Sequence, residues 1–209
     1  MKKHENVRPG FRVTTMPLPS PEARKPVHHR RIECDGYRRD DGLIDIEGRL
    51  VDTKAFDFPN KDRGGIIRAG EALHDIRLRI TIDLEMNIVD AAASIDAAPY
   101  NYCSRITPVA EKLIGLRIAP GFRQQVKQRI GGVQGCTHLT ELLGPIATTA
   151  VQTLVSELAR EERENGESAI DEKKLAMGFL DSCHSLASDS PVVKEHWPKF
   201  YKPSGENGD

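Results

Sequence analysis

Cys136 and His138 stand two residues apart in the segment GGVQGCTHLTELLGP, where an amphipathic pattern predicts the start of a long helix. Thr137 is the predicted N-cap, which places the Cys136 thiol at the positive end of the helix, where the pKa of a thiol falls. A thiolate binds zinc or iron, and with an imidazole as base it also attacks electrophiles. Glu141 lies one turn after His138 and can orient that imidazole. The alternative interpretation is a free cysteine buried for packing.

Three further residues that could ligate a metal lie at the ends of predicted strands. His74 and Asp75 precede one strand, and Cys103 follows the next. If these strands pair as a hairpin, the start of one lies beside the end of the other, and the long helix brings its first residues to the same edge. Two thiolates and two imidazoles form a tetrahedral shell for zinc or iron. The predicted ligands are His74, Cys103, Cys136 and His138, with Asp75 as a fifth ligand or an outer partner.

The first half of the chain is predicted to form two β-hairpins. Hydrophobic residues alternate on either side of the turn signal at residues 40–42, with Ile32 and Cys34 before it and Ile46 and Leu50 after it. Glycines and charges predict a loop over residues 59–70. The second hairpin is expected to turn near residues 84–87. The first strand of that hairpin places on one face Ile76, Leu78, Ile80 and Ile82.

The second half is predicted to be helical. Short helices are expected over residues 104–116 and 121–130, followed by the long helix to about Glu162, in which Pro145 either kinks the helix or marks its first turn. A further short helix is predicted over residues 171–180. Strands followed by helices predict an α+β fold, a two-layer domain with a mainly antiparallel sheet of about four strands and helices packed on one face.

Composition bounds the organisation and the partners of the chain. Its 209 residues predict one domain, over residues 28–182, between a flexible proline-rich arm, residues 1–27, and a tail, residues 183–209. The 30 Lys and Arg residues nearly balance 31 Asp and Glu residues, so we expect no nucleic-acid or membrane partner. No apolar run approaches the roughly 18 residues of a membrane span or resembles a signal peptide, which predicts a cytoplasmic protein with free or metal-bound cysteines.

The order of strands, helices and cysteines resembles the cluster-scaffold domain of NifU-like iron-sulfur assembly proteins over residues 73–158. By order, His74 and Asp75 in LHD, Cys103 in YNYCS and Cys136 in GCTHL fall on the cysteine motifs of that family. The resemblance implies an iron-sulfur cluster and a partner protein that receives it. His74 replaces the first cysteine, and Gly135 stands where that family has a histidine. These departures favour permanently bound zinc, mononuclear iron or a cluster with mixed histidine and cysteine ligands.

Longer strings resemble a bacterial family catalogued as domain of unknown function 2889. They are RRIECDGYRRDDGLIDIEGRLVDTKAF, LHDIRLRITID, DAAPYNYC and GCTHLTELLGPIATTA, and they cover most of residues 28–158. This resemblance implies no established reaction.

Three functions remain open on the sequence. The first is a metal-binding accessory protein that carries, delivers or senses zinc, iron or an iron-sulfur cluster. The second is a thiol hydrolase or acyl-transferase with Cys136 as nucleophile, His138 or His74 as base, and Asp75 or Glu141 orienting the base. The third is a non-catalytic module that binds a small molecule. A metal site needs Cys103 as well as Cys136, whereas a nucleophile needs one thiol. Phosphate loops, dinucleotide fingerprints and serine nucleophile elbows are not found.

Two other groups of polar residues have simpler interpretations. The run His28–His29–Arg30–Arg31 could bind an anion, but charges at the end of an edge strand commonly serve to prevent association. Cys183 and His184 follow the last predicted helix and are interpreted as incidental.

Overall fold

A computed structural model describes residue 18 and residues 20–165 and 178–203. The strands in these ranges are β1 His28–Arg38, β2 Ile44–Lys54, β3 Phe58–Asn60, β4 Gly65–Ile67, β5 Ala72–Ile82 and β6 Ile88–Ala97. The α-helices in these ranges are α1 Phe122–Ile130, α2 Thr137–Asn165 and α3 Pro191–His196. Helices of the 3-10 type span Lys61–Arg63, Cys103–Leu113, Gly132–Gln134, His184–Leu186 and Pro198–Phe200.

The main sheet has four strands in the order β1-β2-β5-β6, and every neighbouring pair is antiparallel. The two predicted hairpins are therefore confirmed, as is the α+β fold class. The predicted loop over residues 59–70 is wrong in part, because β3 and β4 pair there as a separate ribbon. Strands of three residues are too short to show alternation, and Gly64, at φ 74°, supplies the left-handed turn between them.

Residue parity decides which face of the main sheet a side chain occupies. In β5 the predicted inner residues Ile76, Leu78, Ile80 and Ile82 are all buried, and in β2 the even positions Ile44, Ile46 and Leu50 are buried as well. The odd positions include Glu47, Arg77 and Arg79, which are exposed. Even-numbered residues of β1, β2 and β5 therefore face the helices.

The 3-10 helix Cys103–Leu113 replaces the first predicted α-helix. Pro108 lies inside it, and a proline has no amide hydrogen and clashes with the carbonyl four residues earlier. The predicted apolar face still reaches the core, since Val109, Leu113 and Leu116 are buried. The next predicted helix is confirmed as α1, with Phe122, Val126 and Ile130 buried.

Helix α2 covers the inner face of the sheet with its apolar stripe. Leu139, Leu142, Leu143, Ile146, Ala150, Leu154 and Leu158 are buried in one cluster with the strands. The helix passes close to β2, because a Cβ atom on Gly48 would lie 2.7 Å from Ile146 Cδ1. Pro145 lies within the helix and is not in its first turn. Thr137 is not the N-cap as predicted, since the Thr140 amide donates to the Cys136 carbonyl at 3.0 Å and makes Cys136 the residue before the helix.

Residues 137–161 of α2 are long and apolar enough to cross a bilayer, since an 18-residue window within them has a mean hydropathy of 1.2, although the sequence predicted no such segment. This finding concerns length and composition alone. Core helices of globular proteins share these properties, and the leucine stripe of α2 packs against the sheet.

The C-terminal segment forms short elements. Most of the predicted helix over residues 171–180 lies outside the described residues, and residues 178–180 are not helical. Helix α3 is capped by Ser190, whose hydroxyl accepts a hydrogen bond from the Val193 amide at 3.1 Å. Trp197 contacts Phe179 edge to face, with ring centroids 5.3 Å apart. The domain boundaries at residues 27/28 and 182/183 stay predictions.

Candidate functional site

Asp52 is a buried carboxylate in β2, with 1% of its surface exposed. The guanidinium of Arg30 binds both carboxylate oxygens, with Nε 2.7 Å from Oδ1 and Nη2 2.7 Å from Oδ2. His28 Nε2 lies 3.1 Å from Oδ1, and His74 Nδ1 lies 3.0 Å from Oδ2. An ionised carboxylate only accepts hydrogen bonds, so each ring nitrogen donates in this arrangement. Asp52 thus joins side chains from three neighbouring strands.

The register of the sheet brings these residues together. Arg30 is opposite Asp52 in the β1–β2 pair, and Asp52 is opposite His74 in the β2–β5 pair. All three are even-numbered and face α2. Next to this row, the pairing shifts so that Leu73 is an extra residue of β5. A β-bulge of this kind bends a strand and redirects its side chains, and such bulges are common next to functional sites.

Helix α2 supplies the remaining members of the cluster. His138 Nε2 lies 3.8 Å from Asp52 Oδ2, and the rings of His74 and His138 are 3.9 Å apart between centroids. Cys136 Sγ is 3.9 Å from His138 Nδ1. Glu141 Oε2 accepts a hydrogen bond from Arg30 Nη1 at 2.5 Å. The first turn of α2 therefore closes the cluster from above the sheet.

The surroundings shift the pKa of three of these groups. Burial alone would raise the pKa of Asp52, but the hydrogen bond and charge of Arg30, followed by the His74 hydrogen bond, lower it to about 2. Burial lowers the pKa of His74, and the nearby His138 lowers it further, outweighing Asp52. Burial would raise the pKa of Cys136, but hydrogen bonds from His138 and from the backbone amides of Leu139 and His138 lower it overall. An ionised carboxylate therefore lies beside a neutral imidazole.

Asp52, His74 and His138 form the one group of three or more potential metal ligands in the described ranges. One ligand atom from each residue lies within 4.8 Å of the other two. Two imidazoles and a carboxylate are donors that zinc and iron accept. This geometry could hold a metal ion.

The structure brings together only some of the residues predicted from the sequence. His74 and His138 lie in the group of three, and Cys136 lies beside His138. Asp75 is on the opposite face of the sheet, where Arg49 binds its two oxygens at 2.8 and 2.5 Å. Cys103, at the start of the 3-10 helix after β6, is outside the group of three. Their roles as ligands stay predictions.

Sequence reasoning missed Asp52, and it assigned Arg30 and His28 to a charged strand edge. A signal was present for each of them. The alternation of inner residues in β2 continues from Leu50 to Asp52, which places a carboxylate where a hydrophobic residue is expected. The same parity in β1 places Arg30 and His28 on the same inner face of the sheet as Ile32.

The remaining cysteines lie apart from this cluster. All four cysteines are free thiols, and Cys183 is exposed. Cys34 is half-buried against the core, and burial raises the pKa of its thiol despite a hydrogen bond with Thr149. Such a thiol is less reactive than an ordinary one, because the thiolate is the nucleophile.

Comparison with known proteins gives a family without a described activity. No curated protein and no solved structure was found to match the chain, and the likeness to NifU-like scaffolds is not confirmed. Residues 28–152 match the family model described as "Protein of unknown function (DUF2889)". That range is more than half of the chain and contains every member of the cluster around Asp52. The chain therefore belongs to the DUF2889 family.

Proposed function

We propose that this protein binds a divalent transition-metal ion, zinc or iron, between Asp52, His74 and His138. The observation that carries the proposal is the convergence of three ligand atoms, from β2, β5 and α2, to within 4.8 Å of one another. The ion would bind next to Asp52 Oδ2, which is 3.0 Å from His74 Nδ1 and 3.8 Å from His138 Nε2. Metals bind neutral imidazole, so the proton on His74 Nδ1 would be released or would move to Nε2.

The ligand set favours a site that keeps open coordination positions. Two histidines and one carboxylate occupy three positions, whereas a structural zinc site uses four protein ligands. Cys136 Sγ contacts Nδ1 of His138 and so helps to direct Nε2 toward the ion, in the way that outer partners orient ligating histidines. An ion with open positions suits an accessory protein that carries, delivers or senses metal. A protein that receives the metal, a cytoplasmic location and the absence of nucleic-acid and membrane partners remain expectations from the sequence.

Metal analysis of protein purified without chelators, followed by titration with zinc or with cobalt as its spectroscopic substitute, tests this proposal. The wild type should bind one ion, and His74→Ala and His138→Ala should each lose it. Cys183→Ser and His184→Ala are matched controls, because both residues are exposed and lie in the C-terminal segment. A wild-type protein that binds no ion, or histidine variants that bind as well as the wild type, would contradict the proposal.

The cysteine variants separate two ligand sets. If the ligands are Asp52, His74 and His138, Cys103→Ser binds as the wild type does, and Cys136→Ser binds with a modest loss of affinity. If the set predicted from the sequence is correct, each cysteine substitution abolishes binding. An absorption band from cobalt–thiolate charge transfer would show directly whether a sulfur atom is bound.

A second candidate function, a cysteine-dependent hydrolase or acyl-transferase, is favoured by the order of atoms from Cys136 to Asp52. Cys136 Sγ is 3.9 Å from His138 Nδ1, and His138 Nε2 is 3.8 Å from Asp52 Oδ2. A thiol, an imidazole and a carboxylate in this order form a nucleophile, its base and the group that orients the base. Asp52 takes the orienting role that was predicted for Asp75. Distances longer than hydrogen bonds are common in such groups before substrate binds.

The two candidates compete for His138 Nε2, which cannot bind a metal and donate to Asp52 at once. The rate at which iodoacetamide alkylates Cys136, measured with and without zinc, therefore separates them. A reactive thiol that His138→Ala slows, in a protein that binds no metal, would support the enzyme. A thiol as slow as that of Cys103 would exclude it.

A further inference from the structure

We infer that Arg30 sets the metal affinity of this site by competing with the ion for Asp52, and that it releases Asp52 and keeps Glu141 when the ion binds. This inference rests on the proposed metal site. It assigns to Arg30 and Glu141, which are not ligands, control over how tightly the ion is held.

The competition follows from the hydrogen bonds of Asp52. Arg30 occupies one position on each carboxylate oxygen, and His74 takes a second position on Oδ2. An ion that binds Oδ2 would lie beside a guanidinium nitrogen only 2.7 Å from the same oxygen. Two cations so close repel strongly at a carboxylate that is 1% exposed, because little water is present to screen them. We therefore expect the ion to displace Arg30 from Oδ2.

Glu141 gives the displaced guanidinium a second anion. Arg30 already donates to Glu141 through Nη1, at 2.5 Å, while Nε and Nη2 bind Asp52. Glu141 is about half exposed and lies on α2, three residues after His138. A guanidinium has five N–H donors, so Arg30 can keep this contact and release Asp52. In this exchange the metal ion replaces Arg30 at Asp52, and Arg30 stays on Glu141. Both carboxylates therefore keep a cationic partner.

The exchange makes metal binding weaker and more readily reversible than the ligands alone would allow. Cations that bind carboxylate and imidazole strongly displace Arg30, and weaker ones do not. Glu141 acts in the opposite direction, because it stabilises the displaced position of Arg30. An accessory protein that must give up its metal would benefit from such a built-in competitor.

Zinc affinities from competition with a chromophoric chelator test the inference, with cobalt spectra to show that the ligand set is unchanged. Arg30→Gln, which removes the charge and keeps a hydrogen-bond donor, should bind at least about tenfold more tightly than the wild type. Glu141→Gln should bind about two- to fivefold more weakly. Arg31→Gln is the matched control, since Arg31 is the next residue of β1, is exposed and pairs with Glu33 at 3.7 Å.

The double variant separates exchange from simple charge effects. If Glu141 acts through Arg30, Arg30→Gln/Glu141→Gln should bind as Arg30→Gln does, whereas independent charges would give additive changes. Additive changes, or an Arg30→Gln variant that binds no more tightly than the wild type, would overturn the inference and leave the metal site standing. A wild type that binds no zinc would overturn the proposed function itself. Glu141 is about half exposed, so we expect Glu141→Gln to fold, and its zinc affinity tests the inference even if Arg30→Gln does not fold.

Discussion

Two carboxylates at neighbouring positions of the sheet, Asp52 and Asp75, each bind an arginine through both oxygens, yet their surroundings differ. Asp52 faces α2 and is 1% exposed, whereas the Asp75 side chain faces away from α2 and is 14% exposed. Arg30 and Arg49 are their respective partners. The comparison shows that ion-pair geometry alone does not mark a functional site.

The two carboxylates differ in the other groups that surround them. On the outer face, the Arg49 side chain is 41% exposed. Both side chains of the neighbouring pair Arg77–Asp96 are about half exposed. Water screens such charges, so each pair contributes little to stability. On the inner face, the carboxylate of Asp52 also holds two histidines and belongs to the proposed metal site. Three substitutions and the addition of zinc test this contrast.

Asp52→Asn should have the largest effect. It removes a buried charge, leaves Arg30 with Glu141 as its remaining anion and leaves two histidines without theirs, and breaking a buried pair costs about 3–5 kcal/mol. Chemical denaturation should show this loss in the free energy of unfolding, and zinc binding should disappear as well. A loss no larger than that of Asp75→Asn would contradict the contrast between the two faces.

Addition of zinc should stabilise the wild type by about 2.7 kcal/mol at a free concentration a hundred times the dissociation constant. Thermal unfolding at several zinc concentrations measures this gain, and a chelator should reverse it. Asp75→Asn should keep the gain, whereas His138→Ala should lose it. An equal gain in His138→Ala would place the bound ion elsewhere.

Gly48→Ala tests whether the inner face is intolerant of any change. The new Cβ atom would lie 2.7 Å from Ile146 Cδ1, and overpacking of this kind costs about 1–3 kcal/mol. Unfolding in denaturant should show the loss. Zinc affinity should remain, because Gly48 lies four residues before Asp52 in β2 and is not part of the cluster. Loss of zinc binding would mean that the position of α2, and not Asp52 itself, controls the site.

Asp75→Asn should have the smallest effect. The Arg49 hydrogen bond lowers the pKa of Asp75, outweighing burial. A lowered pKa means that the pair stabilises the folded state above the ordinary pKa of an aspartate, and that this contribution disappears as the pH falls through the lowered value. Denaturation at pH 7 and at a pH below the lowered pKa of Asp75 should therefore be compared. The free energy of unfolding of the variant should be slightly lower than that of the wild type at pH 7 only. A deficit that persists in acid would indicate a packing role.

Much of this arrangement could be predicted from local patterns. The alternation in β5 correctly gave Ile76 and Ile80 as inner residues, and the same rule places His74 on their face and Asp75 on the other. The spacing of leucines gave the buried stripe of α2. Cys136 and His138 were found because their types and their place before a helix were informative. Asp52 was missed because it is a single polar residue at the end of an apolar alternation.

The sequence by itself determined which residues of each strand and helix share a face, because side-chain direction repeats with the local backbone period. Only the tertiary structure decided which faces meet. The pairing of β2 with both β1 and β5 placed Arg30, Asp52 and His74 in one row, and the packing of α2 placed His138 above it. Register, bulges and helix packing depend on contacts between residues distant in the chain, which no local period records. For that reason the sequence identified two histidines of the site but not the carboxylate between them.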